Sequence, residues 1–292
     1  MKTVSKLFFF GMVVAVVLVA SSCMSGPTHP ALSPVSSRWS EAAEGMDAPV
    51  VYRLPGMDTV KTAYVEYVSG RSMDVYYPGG FDFSTPASVV VFVMGYSTDF
   101  TMNWFGAKLK DLGQYISWGQ LVAASGLIGV AYETDYPDDD IDAVLRYIVG
   151  HGPALGMDQK KIALFTCSGN TLTALEALTD RHAPYTDSLQ AGVIYYPVIS
   201  YFMNTGDQVM PAPFKRQLRT DLPIFLVTVG NDRPEWKEAV ENFTAKVDGE
   251  GYPLQISYYE NGVHGFDTDQ DSEESRALIS HTISFLKEHL LQ

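Results

Sequence analysis

One short stretch, residues 161–178, constrains the fold more than any other part of the sequence. Residues 162–165 form a compact apolar run long enough for a buried strand, and residues 170–178 repeat leucine with a helical period. The residues between them, 166–169, read T-C-S-G and are all small. A strand that turns sharply into a helix exposes a side chain of the turn beside the free N–H groups of the helix N-terminus.

This turn suits an exposed nucleophile, and it is a relaxed form of the G-x-S-x-G pattern. Thr166 and Asn170 stand where that pattern has its two glycines. The same residues also fit a buried strand followed by a helix with a serine cap. The local sequence therefore leaves both interpretations open.

The N-terminus predicts export. Lys2 and Lys6 form a basic start, and residues 7–20 form an apolar run that is short for a membrane span and typical of a signal peptide. We interpret residues 1–22 as that signal peptide. Residues 20–23, A-S-S-C, resemble a bacterial lipobox, which implies that Cys23 is acylated, for example with palmitate. The protein would then be anchored to a bacterial membrane in the cell envelope, on its periplasmic or extracellular face. Ordinary secretory cleavage near Ser22 is the alternative.

Residues 23–49 are rich in Ser, Pro, Ala and Gly and predict a flexible tether, and residues 50–292 predict a single domain. The formal net charge is −14, and cleavage of the signal peptide would make it more negative because two lysines are lost. This charge argues against nucleic acid as a partner. The cysteines are Cys23 and Cys167, and no Cys/His zinc pattern is present. We interpret the acidic residues 138–140 as the first turn of a helix and predict neither a metal nor an organic cofactor.

Apolar strands alternate with helices along the domain, which predicts an α/β fold with a mostly parallel sheet covered on both faces. Residues 62–68 and 73–77 predict an antiparallel pair at a sheet edge. The later strands are predicted at residues 89–94, 127–132, 162–165, 192–196, 222–229 and 254–259, with helices at 112–125, after 138, at 170–178 and at 234–247. A capping box of Asp271 and Glu274 is predicted to open the C-terminal helix.

Polar residues follow the carboxyl ends of four different predicted strands. They are Tyr96, Ser168, Asp232 and His264. In an open parallel sheet these ends meet at one edge, where the site lies. A serine nucleophile needs a base, and the base needs a carboxylate to orient it.

The order Ser168, Asp232, His264 matches the order in the α/β-hydrolases, and residues 62–291 resemble that superfamily. The branch is similar to the dienelactone hydrolase-like esterases. The resemblance is carried by residues 117–125 and 167–170, by G-N-D at 230–232 and by V-H-G-F at 263–266. It implies that Ser168 attacks an acyl carbonyl, that His264 takes and returns the proton, and that Asp232 orients the imidazole.

The resemblance also implies an oxyanion hole made by the backbone N–H of Gly169 and, from the loop after residues 89–94, that of Tyr96. Gly95 in the same loop is predicted to contact substrate. Residues 198–221 would form a short cap, in which Phe202 and Met203 either line an acyl pocket or belong to the core.

Two assignments keep rivals. Cys167 could be the nucleophile, because some members of the resembled branch use cysteine. That choice would place bulky Phe165 two positions earlier, where the turn needs a small residue, so we favour Ser168. Glu235 is the rival of Asp232 as the acid, whereas Asp221 lies at the wrong end of its strand.

Two classes of function stay open. The first is a serine hydrolase that cleaves an ester or related acyl bond of a small molecule through an acyl-enzyme. The second is a surface binding protein that keeps the fold without turnover. The sequence determines neither the substrate nor the oligomeric state.

Overall fold

The computed structural model describes residues 29–35, 48–202, 209–211, 219–249 and 252–292, without the side chains of 200–202, 209–211 and 246–249. The predicted signal peptide, Cys23, Met203 and most of the tether lie outside the described residues. Within the described part, no helix is both long and apolar enough to cross a membrane.

The described strands form a nine-stranded sheet and a separate two-stranded hairpin. The sheet contains β1 (Ser33–Pro34), β2 (Lys61–Val68), β3 (Arg71–Tyr77), β4 (Ala87–Phe92), β5 (Ile128–Tyr132), β6 (Met157–Cys167), β7 (Leu189–Tyr195), β10 (Ile224–Asn231) and β11 (Leu254–Val263), and the hairpin contains β8 (Ser200–Phe202) and β9 (Val209–Pro211). The order across the sheet is β1-β2-β3-β5-β4-β6-β7-β10-β11. Six neighbouring strands are parallel to one another: β5, β4, β6, β7, β10 and β11. The pairs β1/β2, β2/β3 and β3/β5 are antiparallel. This confirms the predicted mostly parallel sheet with its antiparallel edge.

The helices are α1 (Thr98–Phe105), α2 (Gly113–Ala124), α3 (Pro137–His151), α4 (Thr171–Thr179), α5 (Pro234–Gly249), α6 (Phe266–Asp269) and α7 (Glu273–Leu290). Helices α3 and α4 contact each other and β6, α2 packs on β3 and β5, and α7 packs on β6 and β7. In β4, every residue from Ser88 to Phe92 is buried. Successive strand side chains point to opposite faces, so both faces of the central sheet are covered.

The start of α7 differs from the prediction, and the capping box of Asp271 and Glu274 is wrong. The N-cap is Ser272, whose hydroxyl accepts a hydrogen bond from the backbone N–H of Ser275 at 3.0 Å. Asp271 is largely exposed and forms an ion pair with Arg276 instead. The serine hydroxyl lies one residue closer to the helix than the sequence pattern suggested.

The acidic residues 138–140 open α3 as predicted. Asp140 is fully buried, and its carboxylate accepts hydrogen bonds from the backbone N–H groups of Asp135 and Tyr136 and from the Thr134 hydroxyl. Across the described residues, no group of three or more His, Cys, Asp or Glu could hold a metal ion. The helix-opening interpretation accounts for the position of Asp140.

Candidate active site

A strained turn joins β6 to α4. The strand ends at Cys167, residues 168–170 form one turn of 3-10 helix, and α4 begins at Thr171. Ser168 has φ of 52°, a left-handed conformation that few non-glycine residues adopt. Such conformations cost about 1–3 kcal/mol and are concentrated at functional sites. The turn therefore places Ser168 just beyond the last hydrogen-bonded residue of β6.

Three of the predicted residues form one continuous chain of hydrogen bonds. Ser168 Oγ lies 2.7 Å from His264 Nε2, and His264 Nδ1 lies 2.9 Å from Asp232 Oδ2. Because a carboxylate accepts, Nδ1–H donates to Asp232, and Nε2 is left to accept the hydroxyl proton of Ser168. The three residues come from the ends of β6, β10 and β11, as the strand pattern predicted.

Asp232 is held independently of the histidine. Its second oxygen, Oδ1, accepts from the backbone N–H of Arg233 at 2.8 Å. The rival acid Glu235 is exposed in the first turn of α5, and Asp221 pairs with Arg219 at 2.8 Å. The structure thus brings Asp232, and neither rival, to His264.

Two aromatic rings that were not among the predicted site residues contact His264. The ring centroids of Tyr196 and Trp236 lie 4.8 and 4.9 Å from that of His264. Tyr196 follows β7 with φ of 32°, and Trp236 lies in α5. Their positions after a strand end and in the first turns of a helix near Asp232 were the available signal.

Cys167 packs against Tyr115 at the end of β6. It is buried, and its Sγ lies 3.6 Å from the hydroxyl of Tyr115. Burial raises the pKa of the Cys167 thiol to about 11, so the reactive thiolate is scarce near neutral pH. Phe165, two residues before it, packs in the core with its ring 4.6 Å from that of Trp118. The structure does not bring Cys167 to His264.

The loop after β4 lies against the turn that carries Ser168. A side chain on Gly95 would come within 2.6 Å of Asn170 Cα, and one on Gly169 would collide with the Tyr96 hydroxyl. The two segments that were predicted to supply oxyanion donors are therefore in contact. The Gly169 N–H belongs to the first helical turn, where amides have no partner within the helix.

A second buried carboxylate follows His264 by three residues. Asp267 accepts hydrogen bonds from Tyr196 at 2.5 Å, from Trp118 at 2.8 Å and from Gln114 at 2.9 Å. It is fully buried, and burial raises the pKa of its carboxyl, an effect that these hydrogen bonds partly offset. Asp267 directly follows the V-H-G-F segment, yet it was not among the predicted site residues.

The predicted cap is described in part. Phe202 is the last residue of β8, which pairs with β9, but its side chain and the whole of Met203 lie outside the description. Whether they line an acyl pocket stays a prediction.

Comparison with known families matches residues 156–290 to the Dienelactone hydrolase family. The matched segment includes Ser168, Asp232 and His264. A search of the curated proteins found no match.

Many solved structures are similar to the chain. Apo esterase 2 of Thermogutta terrifontis has a TM-score of 0.60 at 17% identity, covering 81% of this chain and 96% of its own. Its butyrate-bound form has a TM-score of 0.58 at 15% identity, covering 81% and 95%. MGS-M1, an alpha/beta hydrolase enzyme from a Medee basin deep-sea metagenome library, has a TM-score of 0.59 at 14% identity, covering 80% and 99%. The chain thus has the α/β-hydrolase fold, and its residues 156–290 match the dienelactone hydrolase family.

Proposed function

We propose that the protein is a serine hydrolase that cleaves an ester bond through an acyl-enzyme. The observation that carries the proposal is the chain of hydrogen bonds from Ser168 through His264 to Asp232, with distances of 2.7 and 2.9 Å. The match to the Dienelactone hydrolase family and the similarity to esterase structures support the same reaction class.

Each residue has a defined part in this mechanism. Ser168 Oγ attacks the acyl carbon while His264 Nε2 takes the hydroxyl proton, and the imidazolium then returns that proton to the leaving alcohol. Asp232 holds the Nδ1–H tautomer and stabilises the charged ring. The backbone N–H groups of Gly169 and Tyr96 would stabilise the oxyanion. A water molecule, activated by His264, would release the acid and restore Ser168.

The surroundings of the site favour an apolar ester. The Tyr96 ring stacks on Phe100 at 5.2 Å, and Phe100 stacks on Trp104 at 5.5 Å. Trp104 is 73% exposed. This row of rings leads from the Gly169 turn to the surface, and aromatic surfaces of this kind bind apolar groups through area burial and stacking. The predicted acyl pocket at Phe202 and Met203 would lie over the same site.

Covalent labelling tests the proposal. A fluorophosphonate should add to Ser168, as mapped by peptide mass, and esterase 2 of Thermogutta terrifontis is described as phosphorylated by paraoxon. Ser168→Ala should lose labelling and lower kcat by on the order of 10⁴-fold or more. Cys167→Ala is the matched control one residue away, and it should keep both within about threefold, since the thiol is buried.

Other results would reject this assignment. Near-full activity in Ser168→Ala together with loss in Cys167→Ala would make cysteine the nucleophile. A wild-type protein that neither labels nor hydrolyses a panel of acyl esters of increasing chain length would favour the binding-protein alternative.

We also propose that the mature protein is anchored to a bacterial membrane through an acyl group on Cys23. The support is the sequence of residues 1–23. Cys23→Ala should block processing or move the protein to the soluble fraction after cell lysis. Unchanged mass and unchanged membrane association would contradict the anchor.

A further inference from the structure

Four consecutive backbone N–H groups follow β4, and they differ in whether they have a hydrogen-bond acceptor. The N–H of Val93 donates to the Phe165 carbonyl at 2.8 Å, and that of Met94 donates to the Tyr132 hydroxyl at 3.1 Å. The N–H of Gly95 donates to Asn170 Oδ1 at 2.7 Å. The next one belongs to Tyr96, and within the described parts of the chain it has no acceptor. The run of hydrogen-bonded amides therefore ends just before the Tyr96 N–H, which we propose as an oxyanion donor.

The hydrogen bond from the Gly95 N–H is accepted by the Asn170 side chain, whose amide has only one orientation that suits its neighbours. Asn170 is 4% exposed. Because the Gly95 N–H can only donate, the amide oxygen must face it, and Nδ2–H then donates to the Tyr115 hydroxyl at 2.8 Å. Both ends of the amide are thus bonded, and the oxygen is the end that contacts the loop after β4.

The contact between the loop at Gly95 and the turn at Asn170 is also tight. A Cβ at Gly95 would approach Asn170 Cα to 2.6 Å, so the loop backbone lies directly on the turn that carries Ser168. Asn170 belongs to this turn, two residues after Ser168. One residue therefore links the segment of the nucleophile to the segment of the second oxyanion donor.

We propose that Asn170 is a positioning residue that holds the Gly95 peptide so that the Tyr96 N–H points at the developing oxyanion. This inference rests on the proposed function. The role explains why an amide, and not a second glycine, occupies the end of the turn: glycine could not reach across to the Gly95 N–H. Catalysis depends on donors that are already aimed before the charge develops.

Two substitutions at opposite ends of the same amide test this role. Asn170→Ala removes the acceptor of the Gly95 N–H, and Tyr115→Phe, the matched control, removes only the hydroxyl bonded to Nδ2. Loss of a complete oxyanion donor costs about 10²–10³ in kcat. A misaimed donor should cost less, so we expect Asn170→Ala to lower kcat about 10- to 100-fold with KM within about threefold. Tyr115→Phe should keep kcat within about threefold.

A trifluoromethyl ketone provides a readout that a purely structural role would not move. It adds to Ser168 as a tetrahedral oxyanion, so its affinity should fall in Asn170→Ala by about the same factor as kcat. Melting curves of both variants, recorded alongside, report folding. If Asn170→Ala keeps kcat and ketone affinity within threefold of wild type, or if Tyr115→Phe loses as much as Asn170→Ala, the positioning role is overturned.

Failure of the proposed function gives a different result. In that case wild-type protein would show neither phosphonate labelling of Ser168 nor ester turnover. If the wild type is labelled and active but Asn170→Ala keeps its kcat and ketone affinity, the positioning role is overturned and the proposed function stands.

Discussion

Asp232 and Asp267 are two carboxylates beside the same histidine loop, and they differ in what surrounds them. Asp232 faces the imidazole of His264 and one backbone N–H, and its side chain is 7% exposed. Asp267 is fully enclosed, and its hydrogen bonds come from a phenol, an indole and an amide, all of them neutral donors.

The partner of a carboxylate, more than its burial alone, decides what the carboxylate does. A carboxylate beside an imidazole can orient the ring and stabilise its positive charge. A carboxylate among neutral donors holds those donors in place and retains its proton more readily. We therefore interpret Asp232 as the carboxylate that orients His264 and Asp267 as the residue that fixes Tyr196, Trp118 and Gln114 behind the site.

Of the changes that separate the two carboxylates, Asp232→Asn should affect catalysis most. An asparagine NH₂ can donate to Nδ1, which would leave the proton on Nε2 and deprive Ser168 of its acceptor. We expect kcat to fall by on the order of 10⁴-fold, with the free energy of unfolding changed by less than about 1 kcal/mol. Steady-state kinetics and urea unfolding measure the two quantities. Glu235→Gln is the control, and loss of activity there with retention in Asp232→Asn would reverse the assignment.

Removal of Asp267 should affect stability more than chemistry. Asp267→Ala leaves the buried donors of Tyr196, Trp118 and Gln114 without their carboxylate, which should lower the free energy of unfolding by about 2–4 kcal/mol. The folded fraction should keep far more activity than Asp232→Asn does. Asp269→Ala, on the exposed side of the same short helix, should change stability by less than about 0.5 kcal/mol. An Asp267→Ala protein as stable as wild type would contradict the structural role.

The smallest effect is a pH dependence of stability. The pKa of Asp267 is raised by burial, so the native state holds this proton more tightly than the unfolded chain does. Its contribution is complete below the ordinary aspartate value of about 3.9 and is lost as pH rises through the raised pKa. The stability of wild type relative to Asp267→Asn should therefore decrease as pH rises from about 4.

Glu133 supplies a control of opposite sign. Burial by itself raises the Glu133 pKa, but hydrogen bonds from Lys108 and Ser72 outweigh it and lower the pKa overall. Its contribution is present above about pH 4.3 and is lost as pH falls through the lowered pKa. The stability of wild type relative to Glu133→Gln should thus increase with pH over that range. Equal slopes for the two pairs would contradict the different environments.

Much of the fold was predictable because its signals are local. Apolar runs mark buried strands and leucine periodicity marks helices, and most bounds were recovered within three residues, although β6 begins five residues before its predicted apolar run. Helix α1 was not predicted, since its sequence T-D-F-T-M-N-W-F lacks a stripe of buried apolar positions: only Thr101 is buried there. The cap of α7 was misplaced by one residue for a similar reason, because two adjacent residues could each act as caps.

Local patterns in the sequence were enough for the alternation of strands and helices and for the order Ser168, Asp232, His264, because each depends on neighbours along the chain. Which side chains become hydrogen-bond partners depends on three-dimensional packing. Gln114 and Asp267 are separated by 153 positions and Ser168 and His264 by 96, yet each pair lies within hydrogen-bond distance. A hydrogen bond depends on atoms within about 3 Å, and no pattern in the sequence encodes which distant segments approach so closely. The packing of the sheet brings these strand ends together.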